Sequence, residues 1–197
     1  MVLNNVSEPI VNHYITLINA GVKSIKDIPE KFQEEVSKIL NIPLKELTLV
    51  EVKENKIKEL SEECENKIYE GTDVTLPSDG KTYHFSFTLN DQNNIKTCFD
   101  LSVASGSKIP YHADGEACKL FEEKDLVTLY AEEQFYITKH TTFFNYLKQQ
   151  IMSLETIDEV EAVTYETDLT GEFLVGYSDI ITYSEASKNA IISRYSK

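Results

Sequence analysis

The chain has 197 residues, 41% of them hydrophobic, and a formal net charge of −14. That length and apolar share suffice for one substantial domain or two small ones with a real core. The acidic excess argues against nucleic acid and anionic membrane surfaces as partners, and a single arginine, Arg194, leaves out bidentate phosphate clamps.

No apolar run reaches the roughly 18 residues of a membrane span, so none is expected. Residues 1–30 lack a basic stretch followed by an apolar one, so no signal peptide is expected. Cys64, Cys98 and Cys118 lie far apart with no CxxC pattern. They read as reduced cytoplasmic thiols that fill small spaces in the core.

Ser7-Glu8-Pro9 predicts a helix start. Ser7 caps it, Glu8 suits the positive end of the dipole, and Pro9 is tolerated in the first turn. Ile10, Tyr14, Leu17 and Ile18 share one face, and Gly21 ends the helix as a left-handed residue would. Ser24 and Asp27 lead to Pro29, which opens a second helix with an apolar stripe of Phe32, Val36, Ile39 and Leu40. Asn41 and Pro43 stop it. Residues 44–69 read as a third helix, from the spacing of Val50, Ile57, Leu60, Cys64 and Ile68. This heptad-like run suits pairing with a second copy or docking on its own domain.

After Gly71 the pattern turns to strands. Val74 and Leu76 belong to a short strand, and Pro77-Ser78-Asp79-Gly80 is a turn. Residues 81–89 then alternate, with Tyr83, Phe85, Phe87 and Leu89 on one face and Thr82, His84, Ser86 and Thr88 on the other. Residues 90–105 read as a helix with Ile95 and Phe99 inward. Ile109 and Tyr111 suggest a strand, Asp114-Gly115 a tight turn, and 117–121 its returning partner.

A long helix follows over about 124–154. Leu126, Tyr130, Glu133, Ile137, His140, Phe144, Leu147, Ile151 and Leu154 alternate steps of four and three. That is a heptad seam with two polar members, Glu133 and His140. Thr156-x-x-Glu159 is a capping box for a short helix through Val163. Gly171 and Gly176 bracket an aromatic stretch with Phe173 and Tyr177, and Ser184 is expected to cap a final helix ending near Tyr195.

The expected class is α+β: an N-terminal helical hairpin plus helix, then a small antiparallel sheet packed on a long helix, with a helical C-terminus. Residues 1–70 are expected to form a helical docking or oligomerisation region and 72–197 an α+β domain.

Chemistry is sparse. His84, Cys98, His112 and Cys118 are zinc-ligand types, yet spacings of 14, 14 and 6 residues match no zinc pattern. Asp91-x-Asn93-x-Ile95 lacks a calcium loop's glycine, where Lys96 stands, and its last acid, where Ser102 stands. Adjacent acids such as Glu122, Glu123, Asp125, Glu132 and Glu133 arise by chance in a chain with 33 acidic residues. Glu133 and His140, two turns apart on one face, could serve a small acid/base hydrolase; the plainer reading is that they set register in a helix seam. No nucleophile elbow, P-loop, dinucleotide-binding or HExxH motif occurs. No catalytic, metal-binding or cofactor-binding residue is therefore assigned, no cofactor is expected, and a non-enzymatic role is favoured.

Two segments carry a resemblance. Residues 14–40 read Tyr14-Ile15-x-Leu17-Ile18-x-Ala20-Gly21-x-Lys23-x-Ile25-x-Asp27-Ile28-Pro29-Glu30, then a second helix with Glu35-Val36. The segment resembles a family of very short proteins encoded beside tail-fibre genes in clostridial and other Firmicutes prophages. Residues 80–151 bring the aromatic strand of Tyr83, Phe85 and Phe87, the helix opening Asp91-Gln92-Asn93-Asn94-Ile95, the Asp114-Gly115 turn and a long helix with spaced aromatics. They are similar to an uncharacterised domain attached to phage tail-fibre and baseplate-associated proteins. That family often has tryptophan ahead of Asp-Gly; here Tyr111 stands nearby and the chain has no Trp. The stretch from Ala162-Val163-Thr164-Tyr165 to Leu169-Thr170-Gly171-Glu172-Phe173 resembles the tail of such proteins.

The resemblance implies a structural or adaptor protein of a phage tail or tail-like particle, made in the host cytoplasm and located in the virion tail. Other tail, baseplate or fibre proteins are the expected partners, and homo-oligomers are a further expectation. The alternative is a fibre-assembly chaperone not retained in the particle. The candidate partner-binding residues are Tyr14, Ile18, Ile28 and Phe32 on the hairpin, and Leu126, Tyr130, Ile137, Phe144 and Leu147 on the long helix.

Overall fold

The computed structural model describes residues 8–42 and 47–195. The expected cap at Ser7, the stop at Pro43 and residues 44–46 of the third helix lie outside them. The chain divides into two compact units, one through Thr48 and one from Leu49 onward.

The first unit holds helices α1 (Glu8–Asn19) and α2 (Glu30–Leu40), joined through a 3-10 turn at Ile25–Asp27. Gly21 has a φ of 69°, as the turn out of α1 requires. The Asp27 carboxylate accepts from the Ser24 backbone N–H at 2.7 Å and from its hydroxyl at 2.8 Å, which sets the entry to the 3-10 turn. Asn41 closes α2 in the left-handed conformation, its N–H on the Ser37 carbonyl. Val11, Ile25, Ile28 and Val36 are buried between the helices, with Tyr14, Ile18, Phe32 and Leu40 partly covered around them. Ile39, expected in the stripe of α2, is exposed.

The second unit comprises α3 (Leu49–Glu70), β1 (Thr72–Thr75), β2 (Thr82–Phe85), α4 (Leu89–Ser105), β3 (Ile109–Tyr111), β4 (Lys119–Phe121), α5 (Glu123–Ser153), α6 (Ile157–Glu161) and α7 (Gly171–Tyr195). The described chain is an α+β fold, 68% helical, with two antiparallel two-stranded sheets and a helical C-terminus.

Helix α5 is the axis of this unit; α3, α4, α7 and β1 all lie against it. Residues 125–129 of α5 are buried all round, as a surrounded helix should be. Farther along, Glu133, Leu147 and Ile151 of the heptad seam are fully enclosed. Helix α3 contributes Val52, Leu60, Cys64 and Ile68 to the same core, so it groups with the residues that follow it. Val50, expected in that stripe, is exposed, and Val52 is buried instead. The buried Lys53 reaches across to donate to the Met152 carbonyl at 2.8 Å, a cation at the negative end of α5.

The β1–β2 hairpin pairs Asp73 with His84 and Val74 with Tyr83. Strand pairing ends at Phe85, earlier than the period-two pattern suggests. Phe87 still points into the core, but Leu89 is exposed because Thr88 and Asp91 form a capping box that starts α4. Strands β3 and β4 pair around the Asp114-Gly115 turn. The Asp114 N–H donates to the His84 carbonyl at 3.0 Å, and its carboxylate accepts from the Ser86 N–H at 2.8 Å, clipping one hairpin to the other.

Thr156 and Glu159 form the expected capping box at α6, which ends at Glu161. The C-terminal region corrects one expectation: α7 is a single helix from Gly171, and Ser184 lies inside it. Packing along α5 holds the helix through Gly176, where a Cβ would come within 2.5 Å of the Tyr146 hydroxyl. Lys188 then bridges to Glu132 of α5 at 3.1 Å. Among the described residues, no helix is long and apolar enough to cross a membrane.

Candidate functional site

A cleft of about 620 Å³ opens between the end of α3, the middle of α5, the 162–170 connection and the first turns of α7. His140 and Phe143 of α5 form its floor with Tyr165 and Tyr177. The Phe143 ring stands edge-on to both tyrosines, at 5.3 Å from Tyr165 and 5.8 Å from Tyr177. Charged residues line the cleft as well: Lys67 and Lys139, with Glu166 and Asp168 on the connection.

The wall carrying Tyr165 is built by short polar side chains. The Thr164 N–H donates to the Thr167 hydroxyl at 2.9 Å, and the Thr167 N–H returns to the Thr164 carbonyl at 3.1 Å. Gln150, buried on α5, then grips the backbone beyond. Its amide donates to the Asp168 carbonyl at 3.0 Å and accepts from the Thr170 N–H at 2.8 Å. Tyr165 and Leu169 are thereby held in the core.

His140 is set by its neighbours. Cys64 and Tyr165 both donate to its carbonyl, at 3.5 and 3.4 Å. With the Tyr165 O–H so used, the 3.2 Å contact between Nδ1 and the Tyr165 oxygen is an Nδ1–H donation. Burial pushes the imidazole below its ordinary range, and the charges of Lys139 and Lys67 push the same way. These effects favour the neutral ring. Burial also raises the Cys64 thiol and the Tyr165 phenol, so neither is an ionised nucleophile.

Glu133 and His140 are not brought together. Two helical turns separate them by about 10 Å along α5. Glu133 is fully enclosed: among the described residues one carboxyl oxygen has no hydrogen-bond partner, and the other accepts weakly from Gln134 at 3.4 Å. Burial pushes its carboxyl up to about 8.

The expected partner-binding residues divide. Ile28, Leu126 and Leu147 are core, enclosed by their own units. Tyr14, Ile18 and Phe32 are half-buried on the hairpin, with the Tyr14 and Phe32 rings 5.6 Å apart. Tyr130 stacks on Phe99 of α4 at 4.4 Å. Ile137 and Phe144 line an open groove of about 420 Å³ between α3 and α5.

The four zinc-type residues have other roles. His84 bonds Asp73 and Glu70, His112 contacts the Ala113 carbonyl, Cys98 is half-buried and Cys118 exposed. Among the described residues, no group of three or more His, Cys, Asp or Glu is placed to hold a metal ion.

The cleft itself was not foreseen from sequence. Its one visible signal is His140 as a polar member of an apolar seam, followed by a connection carrying Tyr165, Glu166 and Asp168. Compared with known protein families, curated proteins and solved structures, the chain matches none.

Proposed function

We propose that this chain is a structural or adaptor component of a bacteriophage tail or tail-like particle, associated with the baseplate or fibres and acting by protein–protein assembly. The build of the first unit carries this reading. Within residues 8–42 only Val11, Ile25, Ile28 and Val36 form the buried apolar core. A unit so small seldom sustains itself on such a core and gains from association. Tyr14, Ile18 and Phe32 stay half-covered beside it, the kind of apolar surface that helix-in-groove contacts use. These residues fall in the segment that resembles short tail-module proteins. The groove of Ile137 and Phe144 is a second surface of the same kind. Partners are then other tail, baseplate or fibre proteins, with self-association included.

The test is quantitative mass spectrometry of purified particles and assembly intermediates. The chain is expected in particles at a fixed ratio to other tail proteins, and Phe32→Asp is expected to lower that ratio. Presence in intermediates alone would reassign the chain as a fibre chaperone. Absence from both would refute an assembly role.

A further inference from the structure

The cleft beside His140 has charges that the protein itself does not meet. Lys139, Glu166 and Asp168 line it, and among the described residues their side chains form no hydrogen bond or ion pair. A single unpaired surface charge is ordinary. Here one cationic and two anionic residues line a cleft whose floor is apolar, made by Phe143, Tyr165 and Tyr177. Lys67 adds a second cation, already leaning on Glu70 at 3.4 Å.

Each class of ligand can be weighed against that set. An uncharged apolar molecule would cover the rings and use none of the charges. A simple anion would meet Lys139 but also Glu166 and Asp168. A simple cation would gain from the carboxylates and the ring faces, yet would meet both lysines. A molecule carrying both charges on an apolar body satisfies every group.

The site is also preformed. Gln150 fixes the backbone of the wall, the threonine turn fixes its start, and His140 and Tyr165 hold each other. Little ordering is then left for a ligand to impose. The cleft's 620 Å³ lies inside the range of about 300–1,000 Å³ typical of small-molecule sites. We propose that this cleft binds a small zwitterion with an apolar or aromatic body, its ammonium against Glu166 and Asp168 and its anionic group against Lys139. The proposal stands apart from the assembly role, since it uses none of the hairpin residues.

The free dipeptide phenylalanyl-leucine is a suitable probe, titrated into the full chain while backbone amide resonances are followed. Saturable shifts are expected in the 164–170 connection and the first turns of α7. N-acetylation removes the ammonium, and C-terminal amidation removes the carboxylate. Each is expected to weaken binding about two- to fivefold, the loss of roughly one exposed ion pair. Lys139→Ala should weaken the free dipeptide by the same factor and leave the amidated form unchanged. Glu166→Gln with Asp168→Asn should do likewise for the acetylated form. All three residues are exposed, so these variants keep the fold. Absence of saturable binding overturns the proposal. So does equal binding of free and capped peptides, or binding indifferent to both sets of variants.

Discussion

His84 and Asp73 face each other across the β1–β2 hairpin, with Nδ1 2.9 Å from the carboxylate, while Nε2 lies 2.8 Å from the Glu70 carbonyl. Both partners are acceptors, so both contacts are hydrogen bonds only while His84 is the imidazolium. The Asp73 carboxylate, then the Glu70 carbonyl, hold its pKa above the ordinary 6.5.

The stability His84 contributes is therefore complete below about pH 6.5 and is lost as pH rises through the raised folded value. The His84 ring resonances should titrate above 6.5, and Asp73→Asn should bring the midpoint down. His84→Gln should cost less than about 1 kcal/mol at pH 6, because the pair is largely exposed, and nothing at pH 9. An unshifted midpoint would mean that the imidazole is neutral.

Glu133 works in the same pH direction for a different reason. Its folded carboxyl titrates near 8 because burial disfavours the anion, whereas the unfolded chain ionises near 4.5. The folded state thus holds the extra proton between these values, and stability falls as pH rises from about 4.5 to about 8. Glu133→Gln should remove about 2–4 kcal/mol of that decline, read as the difference between urea midpoints at pH 5 and pH 9. An unchanged slope would show that the carboxylate reaches water or a cation.

Gly71 and Gly80 make a matched pair for substitution by alanine. Both have positive φ, 74° and 69°, but a Cβ on Gly71 would sit 1.9 Å from the Phe85 carbonyl oxygen, whereas one on Gly80 meets nothing within 4 Å. Gly80→Ala should cost about 1 kcal/mol, the left-handed penalty alone. Gly71→Ala must also push the Phe85–Ser86 backbone aside at the end of β2, and should cost about 3 kcal/mol or more. Denaturant melts of the two variants would compare them directly.

Asp125 joins the 77–80 turn to the start of α5. One carboxylate oxygen accepts from the Ser78 N–H at 2.9 Å and the other from the Glu122 N–H at 3.1 Å. Asp125→Ala removes a buried acceptor from two donors, one on the exposed Ser78 and one on the half-buried Glu122, and should cost about 1–2 kcal/mol of unfolding free energy. A loss below about 0.5 kcal/mol would mean that water replaces both bonds.

Periodicity made the elements legible where it was strong. The four-three spacing of α5 correctly located a long helix and its apolar seam. An apolar stripe says what must be covered, not by which chain. Leu126 and Leu147 are covered by the unit's own helices, which no local pattern could tell from a partner. Ser184 looked like a cap because serine favours helix starts, yet packing against α5 carried α7 through it. The cleft was illegible for a related reason. Glu166 and Asp168 resemble any solvated loop acids until the fold sets them beside Phe143 and Lys139, on another element of the chain.

Gln150 separates shape from charge in this protein. Its buried amide holds backbone groups at Asp168 and Thr170, and it also accepts from the Thr170 hydroxyl at 3.3 Å. The exposed carboxylates of Glu166 and Asp168 have no part in that grip. Surface substitution at those two positions would recode what the cleft selects while its architecture stays intact. A change at Gln150 would do the reverse, keeping every recognition group and losing the frame that aligns them.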